Sequence, residues 1–240
     1  MSPRAMQIEL ERRIILQNPE RAVKNKLSSD ILFTFLNEAL DKFVKTRYSG
    51  INYKREGFEQ SQKRIDDLRT LVINTNLSCT NDAKATYRFT LPDDYMILLG
   101  DTAGIQPMNE NECWPYSFDE EGNKVYNTHY SDTIEGTIET VDRIKENSLS
   151  EFHLRYNKAK PIRLISGNNV VLITDGKYKV SEYTIQYLKK PSKLVVSTEE
   201  YTDLPEHTHI EIVKLALQLF LATTNQSAYE TLNNEIPVME

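Results

Sequence analysis

The segment that most constrains the fold is the very apolar stretch at residues 210–223. Its charged and amide members, Glu211, Lys214 and Gln218, are spaced so that they share one narrow stripe of a helix. The Pro-Glu pair at 205–206 suits the start of that helix. A helix that is apolar almost all round must be buried almost all round. We therefore expect other helices to surround it. Several copies of the chain could do this more readily than one, so the segment favours assembly over catalysis.

The first seventy residues predict three helices. The first covers residues 6–16, and Ser28 or Ser29 caps a long second helix whose apolar residues recur at helical spacing. The third runs from about residue 55 to residue 71. We expect the second helix and the C-terminal helix to share one core, built from Ile31, Phe35, Phe43, Val213, Leu217 and Phe220.

The middle of the chain predicts strands, because its apolar residues alternate with polar ones. The clearest signal is a meander over residues 162–180, where Asp175-Gly176 predicts a hairpin turn between two strands. The remaining expectations are strands at 71–75, 85–91, 133–144 and 183–188, a turn at 78–82, a short helix or turn at 146–154, a short helix at 91–100, and an acidic loop or hairpin tip at 107–132.

The order of helices, strands and a terminal helix predicts an α+β fold. Residues 1–72 form an N-terminal helical bundle, and residues 73–194 form an inserted, mainly antiparallel β region with short helices. Residues 195–240 are a linker and a C-terminal helix that returns to pack on the bundle.

Charge excludes a general attraction to nucleic acid, because 35 acidic residues outnumber 29 basic ones and the net charge is −6. The charge is distributed in blocks of roughly +4 over residues 1–73, −11 over 91–151, +7 over 152–194 and −7 over 195–240. Such blocks suit head-to-tail contacts between copies, although a merely solvated surface explains them about as well. Two cysteines are too few for a disulfide framework, and no apolar run is long enough to span a membrane.

No set of residues predicts an active site. His207 and His209 lie beside Glu206 and Glu211, but the spacing lacks a third metal ligand. Cys113 lies in an acidic stretch with no identifiable base. The acid pairs at 66–67, 93–94 and 120–121 fit a helix surface, a helix start and a turn. We therefore expect no enzyme activity, and no catalytic, metal or cofactor-binding residues.

The basic stretch 155–163 is the best candidate for contact with a charged partner. It could bind a phosphate backbone through its basic residues and Tyr156, or it could pair with the acidic residues 107–151 of a neighbouring copy. The acidic character of the whole chain favours the second interpretation. The predicted interface residues are Trp114, Tyr116, Glu120, Glu121, Arg155, Lys158, Lys160, Arg163, Val213, Leu217 and Phe220.

Three segments carry a resemblance to a known family. They are residues 91–99 (LPDDYMILL), residues 183–191, and residues 204–216 (LPEHTHIEIVKLA). With the order of elements along the chain, they resemble the head–tail connector, or tail-adaptor, ring proteins of short-tailed double-stranded DNA phages, and most of all the ring proteins of crAss-like phages.

That resemblance implies a homo-oligomeric ring, usually of twelve copies, in the virion. Such a ring docks below the portal protein, continues the DNA channel without sequence-specific binding, and receives the next tail component. The chain would be made in the cytoplasm of a bacterial host. An acidic channel wall would repel DNA phosphates during ejection. The alternative from a different class is an intracellular nucleic-acid-binding or regulatory adaptor.

Overall fold

The computed structural model describes residues 1–17, 28–49, 57–83, 85–110, 113–155, 157–197 and 199–224. The chain divides into two compact units. Met1–Val72 with Lys190–Glu240 is the helical unit, and Ile73–Lys189 is the β unit. The boundaries between the units lie between residues 72 and 73 and between residues 189 and 190.

The α+β class is confirmed: N-terminal helices precede a mostly antiparallel β region, and a C-terminal helix packs on the N-terminal helices. Short 3-10 turns cover Phe58–Gln60 and Arg69–Leu71. The other described elements, in chain order, are α1 (Pro3–Gln17), α2 (Ser29–Tyr48), α3 (Gln62–Leu68), β1 (Val72–Leu77), β2 (Cys79–Ala83), β3 (Thr86–Thr90), β4 (Tyr95–Pro107), β5 (Tyr116–Phe118), β6 (Lys124–Tyr126), β7 (His129–Ser131), β8 (Ile134–Glu135), α4 (Val141–Glu146), β9 (Ile162–Ser166), β10 (Asn169–Ile173), β11 (Tyr178–Lys189) and α5 (Glu206–Thr224).

The helical unit buries α5 within a single chain. This helix packs against α1 and α2, and its apolar side chains Ile212, Val213, Ala216, Leu217 and Leu221 are buried there. Of the two possibilities, burial by one chain or by several copies, the structure therefore shows the first, whereas the sequence favoured the second. Part of the polar stripe of α5 faces the other helices of the unit. Its Glu211 forms ion pairs with Arg47 of α2 and Lys63 of α3.

One expected core residue of α2 is wrongly assigned. Ile31 is 46% exposed, whereas its neighbours Leu32 and Phe33 are buried. The buried stripe of α2 runs through Leu32, Leu36, Ala39, Leu40, Phe43 and Val44, which places Ile31 beside the core. Phe35 contacts Phe220 as expected, with their ring centroids 5.5 Å apart in an edge-on arrangement.

The β unit is a sandwich of two sheets. One sheet has the strand order β1-β11-β4-β7, and the other has the order β2-β3-β10-β9-β8. Every pairing with a described register is antiparallel except the short parallel pair of β8 with β9. Both sheets contribute side chains to one core, where Phe89 of β3 meets Tyr183 of β11 with ring centroids 4.9 Å apart.

Helix α4 packs on the opposite face of the five-stranded sheet. Val141 of α4 joins Phe152 and Ile162 in a second, smaller core. Ile162 lies on the face of β9 opposite to Arg163, because side chains alternate along a strand. The five-stranded sheet is thus covered on both faces near β8 and β9.

Several local predictions in the β unit are wrong. Residues 91–100 do not form a helix, because Tyr95 begins the long strand β4, which pairs with β11. The predicted strand at 133–144 is only the two-residue β8 followed by α4, and the predicted turn at 78–82 is largely β2. The two strands expected at 177–180 and 183–188 are the single strand β11, which tolerates three register shifts against β4.

The turn at Asp175-Gly176 is correct, but its flanking strands do not form a hairpin. Gly176 adopts a φ of 78°, which suits a tight turn. The strand before it, β10, pairs with β3 and β9, whereas β11 pairs with β4. The turn therefore carries the chain from one sheet of the sandwich to the other.

Candidate interaction site

A two-stranded hairpin extends from the β unit as a sheet of its own. Its strands β5 and β6 pair Tyr116 with Tyr126 and Phe118 with Lys124. Directly paired residues share a face of an antiparallel ladder, so these four side chains lie on one side of the hairpin. The Lys124 ammonium lies 4.0 Å from the ring centroid of Tyr116, a cation–π contact. The result is an aromatic face, which we call the hairpin face.

The hairpin face is open to solvent at Phe118 and Tyr116, whereas Tyr126 is partly buried against the main core. Phe118 is 68% exposed and Tyr116 is 43% exposed, and their rings meet edge-on with centroids 5.5 Å apart. Isolated two-stranded hairpins are marginal in water, so this one depends on its attachment to the rest of the unit.

Trp114 supplies that attachment. Its ring is 1% exposed and belongs to the main core, and its Nε1–H donates to the carbonyl of Asn127 over 2.7 Å. The Asn127 amide donates to the carbonyl of Pro115 over 2.9 Å, so both ends of the hairpin are held together at its base. The chain itself covers Trp114, which was expected to face a partner.

The tip of the hairpin is a fixed, acidic turn. The Asp119 carboxylate accepts hydrogen bonds from the backbone N–H groups of Asn123 at 2.7 Å and Glu121 at 3.0 Å, and the first of these is the main reason that the pKa of Asp119 lies below its usual range. Gly122 closes the turn with a φ of 82°. Glu120 and Glu121 remain exposed, as the sequence places them in a turn.

A groove lies next to the base of the hairpin, with a cavity volume of about 470 Å³. Two separate stretches contribute to its lining: residues 129–132, and residues 149–151, 153, 155 and 158–160. None of the lining comes from the hairpin residues 116–126. Its apolar lining includes Leu149, which is 78% exposed, and the half-open ring of Tyr130. Cavities of about 300–1,000 Å³ are typical of sites that take a ligand or the side chains of a partner.

One wall of the groove is basic. The backbone groups of Arg155 and Lys158 bond each other at 3.1 and 2.9 Å, which makes a tight turn that carries both exposed side chains on the rim. Neither side chain forms an ion pair with another described residue. Lys160 is different, because its ammonium lies 2.8 Å from the Glu151 carboxylate, which raises the pKa of Lys160 and lowers that of Glu151. Tyr156 lies outside the described residues.

Two more groups are engaged at the edge of the groove. The Tyr130 hydroxyl donates to the Glu182 carboxylate over 3.0 Å, and this bond raises the pKa of Tyr130. His153 Nε2 lies 3.1 Å from the carbonyl of Lys145. These contacts hold Tyr130 and His153 in place at the edge of the groove, whereas the side chains of Arg155 and Lys158 are exposed.

Arg163 does not lie on this surface. Its guanidinium is inside the sandwich, 2.7 Å from the Asp101 carboxylate. The hydroxyls of Thr133 and Tyr183 donate to the same carboxylate over 2.6 and 2.7 Å. Arg163 was expected to contact a neighbouring copy, but its position makes it an internal link between the two sheets.

The three interface residues expected on α5 also lie inside one chain. Val213 and Leu217 are buried, and Phe220 is almost fully buried against Phe35. Of the predicted interface residues, those on or near the surface of the β unit are Tyr116, Glu120, Glu121, Arg155, Lys158 and Lys160.

His207, near the start of α5, takes part in a network of the helical unit. His207 Nε2 lies 2.8 Å from Asp67 Oδ1, and Arg47 Nε lies 2.9 Å from Asp67 Oδ2. Asp67 is fully buried, so the expectation that the pair at 66–67 lies on a helix surface is wrong for Asp67. Among the described residues, no cluster of three or more His, Cys, Asp or Glu side chains could hold a metal ion.

Sequence reasoning identified the charged parts of this site but missed the groove. Charge patterning alone points to Glu120, Glu121, Arg155 and Lys158. The contribution of residues 129–132 and 149–150 depends on tertiary folding, because they approach the basic turn only after β7 pairs with β4. None of the described helices is long and apolar enough to cross a membrane.

The chain matches no model of a protein family, and no curated protein was found with a similar sequence.

Proposed function

We propose that the protein is a structural subunit of a phage virion, a head–tail connector or tail-adaptor that assembles as a ring below the portal protein. The observation that carries the proposal is the pair of unlike surfaces on one β unit. The hairpin is aromatic and acidic, whereas the neighbouring groove is apolar with a basic rim. Unlike surfaces on a single chain support head-to-tail contacts, which generate a ring when the rotation closes.

The arrangement of the chain supports the same proposal. The first helix, α1, packs against the last described helix, α5, in the helical unit, and the β unit is inserted between them in the sequence. This is the element order on which the resemblance to connector ring proteins rests. The helical unit has its own closed core, so a ring contact need not reorganise it.

In this function the ring continues the DNA channel from the portal and offers a platform for the next tail component. DNA passes through without sequence-specific recognition. The net charge of −6 fits a wall that does not retain a packed genome, because like charges repel the phosphates.

Co-expression with the portal protein of the same phage tests the proposal. We expect a complex whose additional mass is about twelve times the 27.8 kDa of one chain, visible as a ring below the portal by cryo-electron microscopy. A protein that binds no portal and is absent from purified virions would contradict the proposal.

A nucleic-acid-binding adaptor is the second candidate, and the exposed turn at Arg155 and Lys158 is the observation that favours it. Such an adaptor would bind free duplex DNA tightly, with an affinity that falls steeply as salt rises. The ring proposal predicts weak binding that R155E/K158E does not change. Tight, salt-sensitive binding that is lost in this variant would replace the ring proposal with the adaptor.

A further inference from the structure

We infer that the hairpin of one copy docks in the groove of the next copy. The proposed occupant is the hairpin β5–β6, residues 116–126. The site is the groove lined by residues 129–132, 149–151, 153, 155 and 158–160. This inference rests on the proposed self-assembly and names the two surfaces that would make the contact.

The first step of the argument is the exposed apolar surface on both sides. Phe118 and Tyr116 lie on an uncovered face, and Leu149 and Tyr130 are similarly open in the groove. Burial of large aromatic side chains supplies most of the affinity at protein interfaces, and aromatic residues are enriched among the residues that matter most.

Charge complementarity then selects a second copy as the occupant. The hairpin carries Asp119, Glu120 and Glu121 against the single base Lys124. The groove rim presents the exposed side chains of Arg155 and Lys158. The lining as a whole is net basic, with Arg155, Lys158 and Lys160 against Asp132 and Glu151. An acidic tip entering a basic rim sets the orientation and speeds the encounter, while apolar contact supplies affinity.

Rigidity at both partners favours docking without rearrangement. The turn bonds to Asp119 hold the tip, and Trp114 fixes the base of the hairpin to the core. On the groove side, Lys160 and Glu151 pair, and the Arg155–Lys158 turn is closed by two backbone bonds. Surfaces that are already ordered lose little conformational freedom on binding.

The hairpin of a given copy does not fill its own groove, since no hairpin residue lines it. The two surfaces nevertheless adjoin, because Trp114 at the hairpin base contacts His129 in the groove, with ring centroids 6.2 Å apart. A docked hairpin would therefore bring the bases of two hairpins close together.

Charge exchange between two variants tests the contact directly. E120K/E121K reverses the tip, and R155E/K158E reverses the rim. By sedimentation, each variant alone should self-associate about tenfold or more weakly than the unaltered protein, and an equal mixture of the two should recover association. The matched controls E139K/D142K and K177E/K179E make the same charge changes at exposed residues of the β unit and should associate normally.

Apolar contact is tested by F118A and L149A, each of which should weaken association at unchanged salt. The control is I138A, because Ile138 is 90% exposed and lies on neither surface. Far-UV circular dichroism and thermal unfolding should match the unaltered protein for all these variants, since every altered side chain is exposed.

Photo-crosslinking identifies the contact itself. A photoreactive phenylalanine analogue at position 118, in a mixture of isotopically light and heavy copies, should give light–heavy crosslinks to residues 129–132 or 149–160. Crosslinks only within one copy, or a protein that stays monomeric at its highest attainable concentration, would overturn the inference.

The outcome separates this inference from the proposed function. Rings that form normally in every hairpin and groove variant would overturn the docking but would not contradict the proposed ring. A two-fold dimer held by the same crosslinks would support the docking and contradict the ring. The absence of any light–heavy crosslink, with a small ligand bound in the groove instead of a second copy, would overturn the docking.

Discussion

Arg163 Nη1 donates to Asp101 Oδ1 over 2.7 Å, and the pair joins the two sheets of the β unit. Both side chains point into the sandwich, since Asp101 pairs with the buried Ile185 and Arg163 with the buried Leu172. Thr133 and Tyr183 complete the bonding of the carboxylate. A charge on each sheet thus satisfies the other where neither has ready access to water.

Asp101→Asn should destabilise the β unit strongly, because it leaves the Arg163 guanidinium without its negative partner. Removal of one member of a buried ion pair costs about 3–5 kcal/mol, and Arg163→Met should show a similar loss. The double variant D101N/R163M should lose less than the sum of the two. Urea unfolding provides the free energies, with the exposed Arg143→Met as the control. Additive losses would show that the two side chains do not act as a pair.

Phe220→Ala should destabilise the helical unit by about 3–5 kcal/mol, because it removes a buried ring that meets Phe35 edge-on. Phe35→Ala should cost less, since that ring is only half-buried. Ile31→Ala is the matched control on the same helix as Phe35, and its 46% exposure predicts little change. Equal losses of stability at Ile31 and Phe220 would contradict the position of Ile31 outside the buried face of α2.

Stability of the helical unit should fall as the solution is acidified below about pH 6.5. Burial, and next the positive amine of Met1, lower the pKa of His209 from its ordinary value of 6.5. At pH values between 6.5 and the lowered pKa of His209, the unfolded chain therefore binds a proton that the folded chain does not, and folding becomes less favourable. His209 is otherwise surrounded by Glu206, His207 and the ring of Tyr201.

His209→Gln removes the titrating group, so the stability of the helical unit should depend less on pH just below 6.5. The helical circular dichroism signal, followed by thermal unfolding over a pH series, measures this dependence. His153→Gln in the β unit is the control for loss of a histidine elsewhere. An unchanged slope in H209Q would show that burial of this imidazole does not control the response.

Gly136→Ala should destabilise the β unit by about 1–3 kcal/mol, a cost typical of overpacking. A Cβ at this position would lie 2.5 Å from Ile162 Cγ2 and 3.3 Å from Val141 Cγ2, so α4 and β9 would have to separate. The control is Gly100→Ala on β4, where an added Cβ meets no atom within 4 Å. Thermal unfolding of the two variants should therefore differ, and equal behaviour would contradict the packing of α4.

The sequence predicts the helices better than the sheets, for a physical reason. The apolar period of α2 and α5 is a local property, and it identifies both helices and their shared core. Residues 91–100 look like a helix start because Pro92 and Asp93 precede an apolar run. Pairing with β11, which lies some eighty residues away, makes that run a strand, and no local pattern reveals it.

The same limit applies to the candidate site. Charge patterning identifies the acidic tip and the basic turn, because both are segments of a few residues. The sequence analysis also predicts Trp114 and Arg163 at an interface. Their burial follows from partners distant in sequence, Asn127 for Trp114 and Asp101 for Arg163.

The number of copies at the head–tail junction of the virion tests the central claim most directly. Cryo-electron microscopy of that junction, with quantitative mass spectrometry of purified virions, measures the position and the copy number together. We predict a closed ring of this chain below the portal, with twelve copies in each virion. Virions that lack the protein, or that carry it elsewhere than at the junction, would contradict the claim.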